Sequence, residues 1–304
     1  MTASARSTFK SAGPRPVSGD DLAQHPEQDR TIGEIIRRAK NLSAEQVAAI
    51  SEHQRTHNLR FGEAAVALGL ATEADVVFAL SQQFHYPFTP EGRNGVNREL
   101  VTASQPFSVQ AEAFRAIRSQ LMMRIFSATE PRRALAVVSP DSGDGKTFFA
   151  ANLAVVLAQL GNRTLVVDAD LRGPRLHDVF GIPNASGLSG ILSGRQEDNV
   201  IFQAPDLPSL YVMPVGVTPP NPLELIERPA FRLLINELLR KFDHVIVDTP
   251  AAVHGSDFAA LASRCGAALV VARKDRSRLK EIEQVVQTVM TGNATVAGVV
   301  MNEY

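Results

Sequence analysis

A loop of small residues, followed by a lysine and a threonine, separates two apolar runs in the segment AVVSPDSGDGKTFFAANLAVVLAQLG. Glycines in such a loop allow backbone angles that turn N–H groups inward, and the N-terminus of the following helix attracts anions. The strict phosphate-loop pattern requires glycine at the position of Pro140, so only its second half, SGDGKT, is matched. A glycine turn without a ligand is the alternative, but the strand–loop–helix context favours nucleotide binding. The predicted nucleotide-binding residues are Gly143, Asp144, Gly145, Lys146, Thr147 and Phe148.

Aspartates end two further apolar runs. The run LVVDADLR contains Asp168 and Asp170, and the run HVIVDTP contains Asp248. Because ligands bind beyond the carboxyl ends of the strands in such sheets, we expect all three carboxylates to lie near the loop. Aspartates at strand ends are often only turn residues, but three of them beside a phosphate loop indicate a site.

This set of side chains fits phosphoryl transfer, which needs charge neutralisation, a metal ion and a group that takes the proton of the nucleophile. We expect Lys146 to neutralise the β- and γ-phosphate oxygens. Thr147 and Asp248 are the predicted Mg²⁺ ligands, since Mg²⁺ prefers oxygen ligands and retains several waters. Either Asp168 or Asp170 would face the acceptor hydroxyl, and the sequence does not distinguish between them.

Six apolar runs follow one another from residue 133 to the end of the sequence: ALAVVS, TLVVDAD, LYVMPVG, HVIVDTP, AALVVAR and VAGVVMN. They are rich in Val, Ile and Leu without polar alternation, which is typical of strands that are buried on both faces. The sequence therefore predicts an α/β, P-loop, doubly wound fold over residues 107–304. Its sheet would be mostly parallel, with helices on both faces.

A tandem repeat precedes this region. Thr31–Gln54 and Arg60–Gln83 align without a gap at an offset of 29 residues. Each copy predicts a helix, a short break and a second helix, with Ser43 and Thr72 as the caps of the second helices. Copies this short bury little surface alone, so we expect them to pack together as one small helical domain over residues 31–85.

Two segments of biased composition lie outside these domains. Residues 1–30 are rich in Ser, Pro, Gly, Asp and Gln and predict a disordered leader. Residues 86–106 contain Pro and Gly and predict a linker between the two domains.

Composition limits the classes of partner. The 304 residues carry a net charge of −1, which gives no electrostatic basis for binding nucleic acid or an anionic membrane. The single cysteine, Cys265, cannot form an internal disulfide, which favours a reducing cytoplasm. No apolar run reaches the roughly 18 residues of a membrane helix, and the N-terminus has no signal-peptide core. We therefore expect a cytoplasmic protein that reaches a membrane only through a partner.

In its phosphate loop, in Asp-x-Asp-x-Arg (Asp168, Asp170, Arg172) and in Asp-Thr-Pro beginning at Asp248, the chain resembles the bacterial tyrosine kinases of polysaccharide synthesis. The resemblance extends from about Phe107 to the end and is strongest to the exopolysaccharide chain-length-determinant kinases of EpsG type. It implies a non-membrane-spanning protein tyrosine kinase that uses Mg-ATP, phosphorylates a tyrosine-containing protein and regulates exopolysaccharide chain length. Arg172 would support the site. A separate membrane co-polymerase would hold the kinase at the inner face of the plasma membrane.

The resemblance also implies a homo-oligomer. Glu112, Arg115 and Arg118 match a family motif that mediates ring-like assemblies. The alternative is a solvated helix with an intrahelical Glu–Arg pair that contributes only about 0.2–0.5 kcal/mol.

One family feature is missing, because such kinases usually end in a cluster of tyrosines. This chain has three tyrosines, of which Tyr304 is the last residue and Tyr211 lies in a strand-like run. We expect autophosphorylation to be minimal or limited to Tyr304, with another protein as the main substrate.

The tandem repeat resembles a second family, the N-terminal domain of type II secretion and pilus ATPases, some of which bind cyclic di-GMP. The residues that match the ligand-binding pattern are Gly33, Gln54, Arg60, Gly62 and Gln83. The first copy has Thr31 in place of the arginine, which removes a planar donor suited to guanine or phosphate. The alternative to ligand binding is a docking module that keeps only the fold.

Two rival functions share the predicted fold. Partitioning or cell-positioning ATPases carry a lysine five residues before the lysine of the loop, where this chain has Asp141. An aspartate cannot donate to a neighbouring subunit's phosphate, which favours the kinase. A binding module with a decayed nucleotide site is disfavoured because the loop lysine, the loop threonine and all three aspartates are present.

Overall fold

The computed structural model of the protein describes residues 31–83, 97–127, 131–195 and 199–303. The predicted leader over residues 1–30, most of the predicted linker and the predicted phosphoacceptor Tyr304 lie outside these ranges. The chain divides into two compact units, Met1–Phe84 and His85–Tyr304. Each unit is described by itself.

The first unit contains four helices: α1 (Ile32–Lys40), α2 (Ala44–His57), α3 (Phe61–Ala67) and α4 (Glu73–Gln83). The predicted caps of α2 and α4 are confirmed. The Ser43 N–H donates to the Gln46 side chain at 2.9 Å, and the Thr72 N–H donates to Asp75 at 2.8 Å.

Equivalent positions of the two repeat copies form the core of this unit. Ile36 and Ala65 are both fully buried, and so are Ile50 and Ala79, each pair being 29 residues apart. Helix α1 packs against α4 and α2 packs against α3, so each copy buries its apolar face on the other. The repeat is therefore a single packed unit, which explains why neither copy needs a core of its own.

The second unit is built on a seven-stranded sheet of order β3-β4-β2-β5-β1-β6-β7. Its strands are β1 (Ala134–Val138), β2 (Thr164–Asp168), β3 (Phe202–Gln203), β4 (Leu210–Met213), β5 (His244–Asp248), β6 (Gly266–Arg273) and β7 (Thr295–Asn302). All neighbouring pairs are parallel except β3 with β4. The predicted α/β fold with a mostly parallel sheet is confirmed, and the two-residue edge strand β3 is the one strand that the sequence did not predict.

Nine helices accompany this sheet within the described residues: α5 (Val101–Ser104), α6 (Val109–Arg124), α7 (Lys146–Ala158), α8 (Leu176–Phe180), α9 (Leu188–Leu192), α10 (Pro222–Glu227), α11 (Pro229–Lys241), α12 (Asp257–Cys265) and α13 (Leu279–Thr291). Two buried apolar clusters lie in this unit. One includes residues of α11, α12 and α13, and the other includes residues of α5, α6 and α7. Alternate residues of β1 and β2 point into different clusters, which places helices on both faces of the sheet.

Part of the predicted linker is packed structure. Leu100, Thr102 and Ala103 are all at most 4% exposed, and Leu100 and Ala103 belong to the core cluster that contains α7. The second unit therefore begins upstream of the predicted boundary at residue 107. Four of the five Pro and Gly residues that suggested a linker lie in residues 87–95, outside the described ranges, and the fifth is Pro106.

Within the described ranges, no helix combines the length and the apolar character that crossing a bilayer requires.

Candidate phosphoryl-transfer site

The predicted loop joins β1 to α7 and has the backbone that its glycines allow. Gly143 and Gly145 have φ values of 85° and 97°, and α7 begins at Lys146. A Cβ atom on Gly145 would lie 2.3 Å from the side-chain nitrogen of Asn302. Glycine is therefore required at position 145 both by the backbone angle and by the close approach of Asn302.

Side chains from the end of β6, the turn that follows it and the end of β7 hold this loop from outside. Three consecutive carbonyls of the loop each accept a hydrogen bond at 3.0–3.1 Å: Ser142 from Arg276, Gly143 from Arg273, and Asp144 from Asn302. Because these contacts occupy the carbonyls, they fix the loop without using its N–H groups. These three residues are missing from the sequence prediction, since nothing near the loop motif indicates them.

Asp144 braces the loop from within. One carboxylate oxygen accepts the N–H of Asp141 at 2.8 Å, and the other is buried without a partner among the described residues. Lys146, at the start of α7, is only 7% exposed.

Thr147 and Asp248 are brought together as predicted. The Thr147 hydroxyl donates to Asp248 Oδ2 at 2.6 Å, across 101 residues of sequence. Burial raises the pKa of Asp248 to about 7, opposed by the Thr147 hydrogen bond and the charge of Lys146. Asp248 Oδ1 is buried and has no hydrogen-bond partner within the described part of the chain.

The orphaned oxygen of Asp248 fits a hard cation. A carboxylate oxygen without a donor, next to a hydroxyl, is the kind of ligand set that Mg²⁺ uses together with water and phosphate oxygens. Among the described residues, no group of three or more Asp, Glu, His or Cys side chains is placed to hold a metal ion. By their contact and the free oxygen of Asp248, Thr147 and Asp248 are the residues that would hold Mg²⁺.

Asp168 lies beside Asp248, since the two are paired in the register of β2 and β5. Asp168 is fully buried, and its Oδ2 accepts the N–H groups of Arg175 at 3.0 Å and Leu176 at 2.9 Å. Burial and the charge of Asp248 raise the pKa of Asp168 well above its usual range. The site thus holds two adjacent carboxylates that resist ionising together.

Asp170 differs from Asp168 in its surroundings. It is partly exposed, and its Oδ1 accepts the N–H groups of Arg172 at 3.2 Å and Gly173 at 3.0 Å. Strand β2 ends at Asp168, so strand alternation does not extend to Asp170.

Arg172 contacts a residue that the sequence did not indicate. Its guanidinium binds both carboxylate oxygens of Asp257, at 2.8 and 3.3 Å, and Asp257 is 2% exposed at the start of α12. This two-point contact ties the segment after β2 to α12.

A cavity of about 350 Å³ lies between α6, the start of α7 and the end of β7. This volume is in the range of small-molecule pockets. Apolar side chains form most of its wall, including Val109, Ala113, Phe114, Phe148, Val300 and Met301. Phe148 directly follows Thr147, so a ligand whose phosphates lie on the loop could place its base in this cavity.

The three predicted interface residues make contacts within their own chain. Arg115 forms an intrahelical ion pair with Glu112 at 2.9 Å and also donates to the Pro106 carbonyl. Arg118 donates to the Val156 carbonyl of α7 at 2.8 Å. The intrahelical pair that the sequence analysis gave as the alternative is therefore present, and the interface remains a prediction.

The residues predicted to bind cyclic di-GMP lie in the first unit. Arg60 is exposed at the N-terminus of α3, where its N–H donates to Glu63 at 2.8 Å. Gly62 has a packing role, because a Cβ there would lie 2.7 Å from Val76. Gly33 is the first residue after Ile32 in α1, Gln54 is partly buried in α2, and Gln83 is the last residue of α4.

Comparison with known proteins identifies the family to which the nucleotide-binding part of the chain is similar. The model of the CobQ/CobB/MinD/ParA nucleotide binding domain matches residues 135–304. The chain is 30% identical to the tyrosine-protein kinase ptk of Acinetobacter johnsonii, over 68% of this chain and 28% of that protein. It is 32% identical to CapB of Staphylococcus aureus, over 67% of this chain and 89% of CapB. The chain thus spans less than a third of the first relative but most of the second.

Solved structures give the same result. The kinase domain of Escherichia coli tyrosine kinase ETK superposes with a TM-score of 0.65 at 33% identity, over 70% of this chain and 84% of that one. The chimerical protein CapA2B2 superposes with a TM-score of 0.63 at 32% identity, over 77% of this chain and 99% of that one. With these matches and a phosphate loop whose threonine contacts the aspartate of Asp-Thr-Pro, the chain belongs to the bacterial tyrosine kinases of the CobQ/CobB/MinD/ParA nucleotide-binding fold.

Proposed function

We propose that this chain is an ATP-dependent protein tyrosine kinase that transfers the γ-phosphoryl group of Mg-ATP to tyrosine. The observation that carries the proposal is the 2.6 Å contact between the Thr147 hydroxyl and Asp248, beside an Asp248 oxygen that has no partner among the described residues. It unites the phosphate loop with a strand-end carboxylate as phosphoryl transfer requires.

In this reaction the tyrosine oxygen attacks the γ-phosphorus while the bond from that phosphorus to the β–γ bridging oxygen breaks, leaving ADP. The N–H groups of the loop residues 143–148 bind phosphate oxygens, and Lys146 neutralises their charge. Mg²⁺, when bound by Thr147 and Asp248, supplies further neutralisation of phosphate charge. The cavity beside Phe148 receives the adenine base.

The hydroxyl proton of tyrosine passes to Asp168 or Asp170. The raised pKa of Asp168 suits a proton acceptor, whereas the partial exposure of Asp170 suits contact with a protein substrate. Single Asp168→Asn and Asp170→Asn variants distinguish the two, because loss of the base lowers kcat. Arg172 supports the site by holding Asp257.

The test is phosphotyrosine formation on a Glu-Tyr copolymer with Mg-ATP, using the full chain and a Lys146→Ala control. The kinase proposal predicts that the wild-type chain forms phosphotyrosine and that the Lys146→Ala variant does not. ATP hydrolysis without phosphotyrosine would favour the partitioning-type ATPase instead. If the chain shows neither phosphotyrosine formation nor ATP hydrolysis, the result indicates a binding module.

We further propose that the kinase regulates exopolysaccharide chain length or export, as an EpsG-type member, with a separate membrane co-polymerase as partner. The similarity to the chimerical protein CapA2B2 supports a partner of the CapA type. Such a partner would hold the kinase at the inner face of the plasma membrane. Co-purification with a chain-length co-polymerase, followed by phosphotyrosine detection on both proteins, tests this proposal.

The physiological substrate in this proposal is another tyrosine-containing protein, and autophosphorylation is minimal or limited to Tyr304. Mass spectrometry after incubation with Mg-ATP tests it, since phosphate on Tyr86 or Tyr211 contradicts it.

The proposed homo-oligomer uses α6. Glu112 is largely exposed and could pair with a second chain, although Arg115 already binds it within the helix. Sedimentation of the wild type and Glu112→Gln tests this interface, because an interface residue changes the oligomeric state and a solvated one does not.

For the first unit we propose cyclic di-GMP binding at the residues that match the ligand-binding pattern, which are Gly33, Gln54, Arg60, Gly62 and Gln83. The exposure of Arg60 at a helix N-terminus supports contact with a phosphate or guanine. Calorimetry with cyclic di-GMP, with Arg60→Ala as control, decides between this proposal and a ligand-free docking module.

A further inference from the structure

Residues 99–102, which we name the anchor segment, enter the second unit against α7. Asn152 of α7 is fully buried, and all of its side-chain capacity is used. Its Oδ1 accepts the Thr102 N–H at 3.0 Å and the Thr102 hydroxyl at 2.9 Å. Its Nδ2 donates to the carbonyls of Glu99 at 2.7 Å and Phe148 at 2.9 Å.

This contact reaches the phosphate-binding part of the site. Helix α7 begins at Lys146, and Phe148 lines the cavity beside the loop. Buried, fully satisfied polar groups resist displacement, because any shift leaves a donor or an acceptor without a partner. The anchor segment therefore fixes the position of the first two turns of α7.

The same segment reaches the segment that follows β2. The Glu99 carboxylate binds the Arg175 guanidinium at 2.6 Å. The backbone N–H of Arg175 in turn donates to Asp168 Oδ2 at 3.0 Å. One short stretch of chain thus contacts both parts of the site, the helix behind the phosphate loop and the turn that binds Asp168.

We propose that the anchor segment is a positioning element of the phosphoryl-transfer site, which sets the phosphate-loop helix through Thr102 and the Asp168 turn through Glu99. The proposal rests on the proposed kinase function for its catalytic effect. In sequence the segment lies near the start of the described part of the second unit, which begins at residue 97.

The first experiment compares Glu99→Gln with Glu237→Gln, because both carboxylates belong to partly exposed ion pairs, the second with Lys241 on α11. We expect Glu99→Gln to speed hydrogen–deuterium exchange at the N–H groups of Arg175 and Leu176. We also expect kcat to fall by up to about fivefold, as the loss of a partly exposed ion pair allows, with an unchanged KM for ATP. Glu237→Gln should alter neither property.

The second experiment compares Thr102→Val with Thr102→Ser. Valine keeps the shape but loses the hydroxyl that Asn152 accepts, whereas serine keeps the hydroxyl. We expect Thr102→Val to raise the KM for ATP, because the helix that presents the phosphate loop is displaced. Thr102→Ser should keep the KM of the wild type.

Exchange at Arg175 and Leu176 that is equal in the two glutamine variants would overturn the proposal. So would losses of activity that follow only the folded fraction measured by circular dichroism. If the wild-type chain forms no phosphotyrosine, the kinase proposal fails, while the exchange experiment still decides whether Glu99 positions the Asp168 turn.

Discussion

The hydroxyl of Thr147 is the most direct test of the proposed site. Thr147→Val removes the hydrogen bond to Asp248 at 2.6 Å while keeping a branched side chain of similar size. A hydrogen bond to a charged group contributes about 1.5–3 kcal/mol. Since about 1.4 kcal/mol corresponds to a factor of ten in rate, kcat/KM should fall by about 10- to 150-fold.

The substitution should also weaken Mg²⁺ binding. The Thr147 hydrogen bond lowers the pKa of Asp248, which burial has raised to about 7. Without the hydroxyl this pKa rises further, so at pH 7 a larger fraction of Asp248 is protonated and unable to bind the cation. The Mg²⁺ concentration that gives half-maximal activity should therefore increase.

The assay measures initial rates of phosphotransfer to a tyrosine copolymer over a series of Mg²⁺ concentrations. Thr147→Ser is the matched control, because it keeps the hydroxyl and should remain within about threefold of the wild type in kcat/KM, a loss below the range expected for a lost hydrogen bond. An unchanged Mg²⁺ dependence in the valine variant would refute the assignment of Thr147. Serine and valine variants that are equally impaired would refute it as well.

Three further predictions test other parts of the structure. Gly62→Ala should destabilise the first unit by about 1–3 kcal/mol through overpacking. Gly33→Ala should be tolerated, because the added Cβ would lie 3.5 Å from its nearest neighbour, and thermal unfolding compares the two variants. Burial lowers the pKa of His244 to about 4, below the value of 6.5 for an unfolded histidine. Because the unfolded chain then takes up the proton more readily, the stability of the fold falls as the pH drops from 6.5 towards 4. The wild type should lose about 2 kcal/mol more than His244→Leu between pH 7 and pH 5 in urea unfolding. Arg276→Ala removes the donor to a carbonyl of the loop and should raise the KM for ATP by about 2- to 12-fold, as expected for one lost hydrogen bond. Lys274 is an exposed neighbour, and Lys274→Ala should leave the KM unchanged in the same kinase assay.

The parts of the site that could be predicted from the sequence are those encoded locally. The phosphate loop is a contiguous signature, and Asp168 and Asp248 each end a run of apolar residues that reads as a buried strand. Because parallel strands end at the same edge of a sheet, the order of elements alone brought these carboxylates to the loop.

The residues that the sequence did not reveal act through tertiary contacts. Arg273, Arg276 and Asn302 reach the loop from 130 or more residues away, and no local pattern marks them. Asp257 reads as an ordinary helix-start residue until Arg172 is seen to bind it. Helix α5 was missed because its sequence, VTAS, has no helical periodicity and is ordered by packing against α7.

The two buried carboxylates of the sheet are better explained by ligand binding than by folding. Asp168 and Asp248 lie opposite each other on β2 and β5, where the preceding positions are Val167 and Val247. An apolar residue at position 248 would serve the sheet equally well, whereas burial and repulsion from neighbouring carboxylates raise the pKa of both aspartates and cost stability when both ionise. A cation bound at Asp248, beside Asp168, offsets that cost. Because ligands that bind the native state stabilise it, Mg-ATP should raise the melting temperature of the wild-type chain. The increase should be much smaller in Asp248→Asn, and a thermal shift with and without Mg²⁺ measures both.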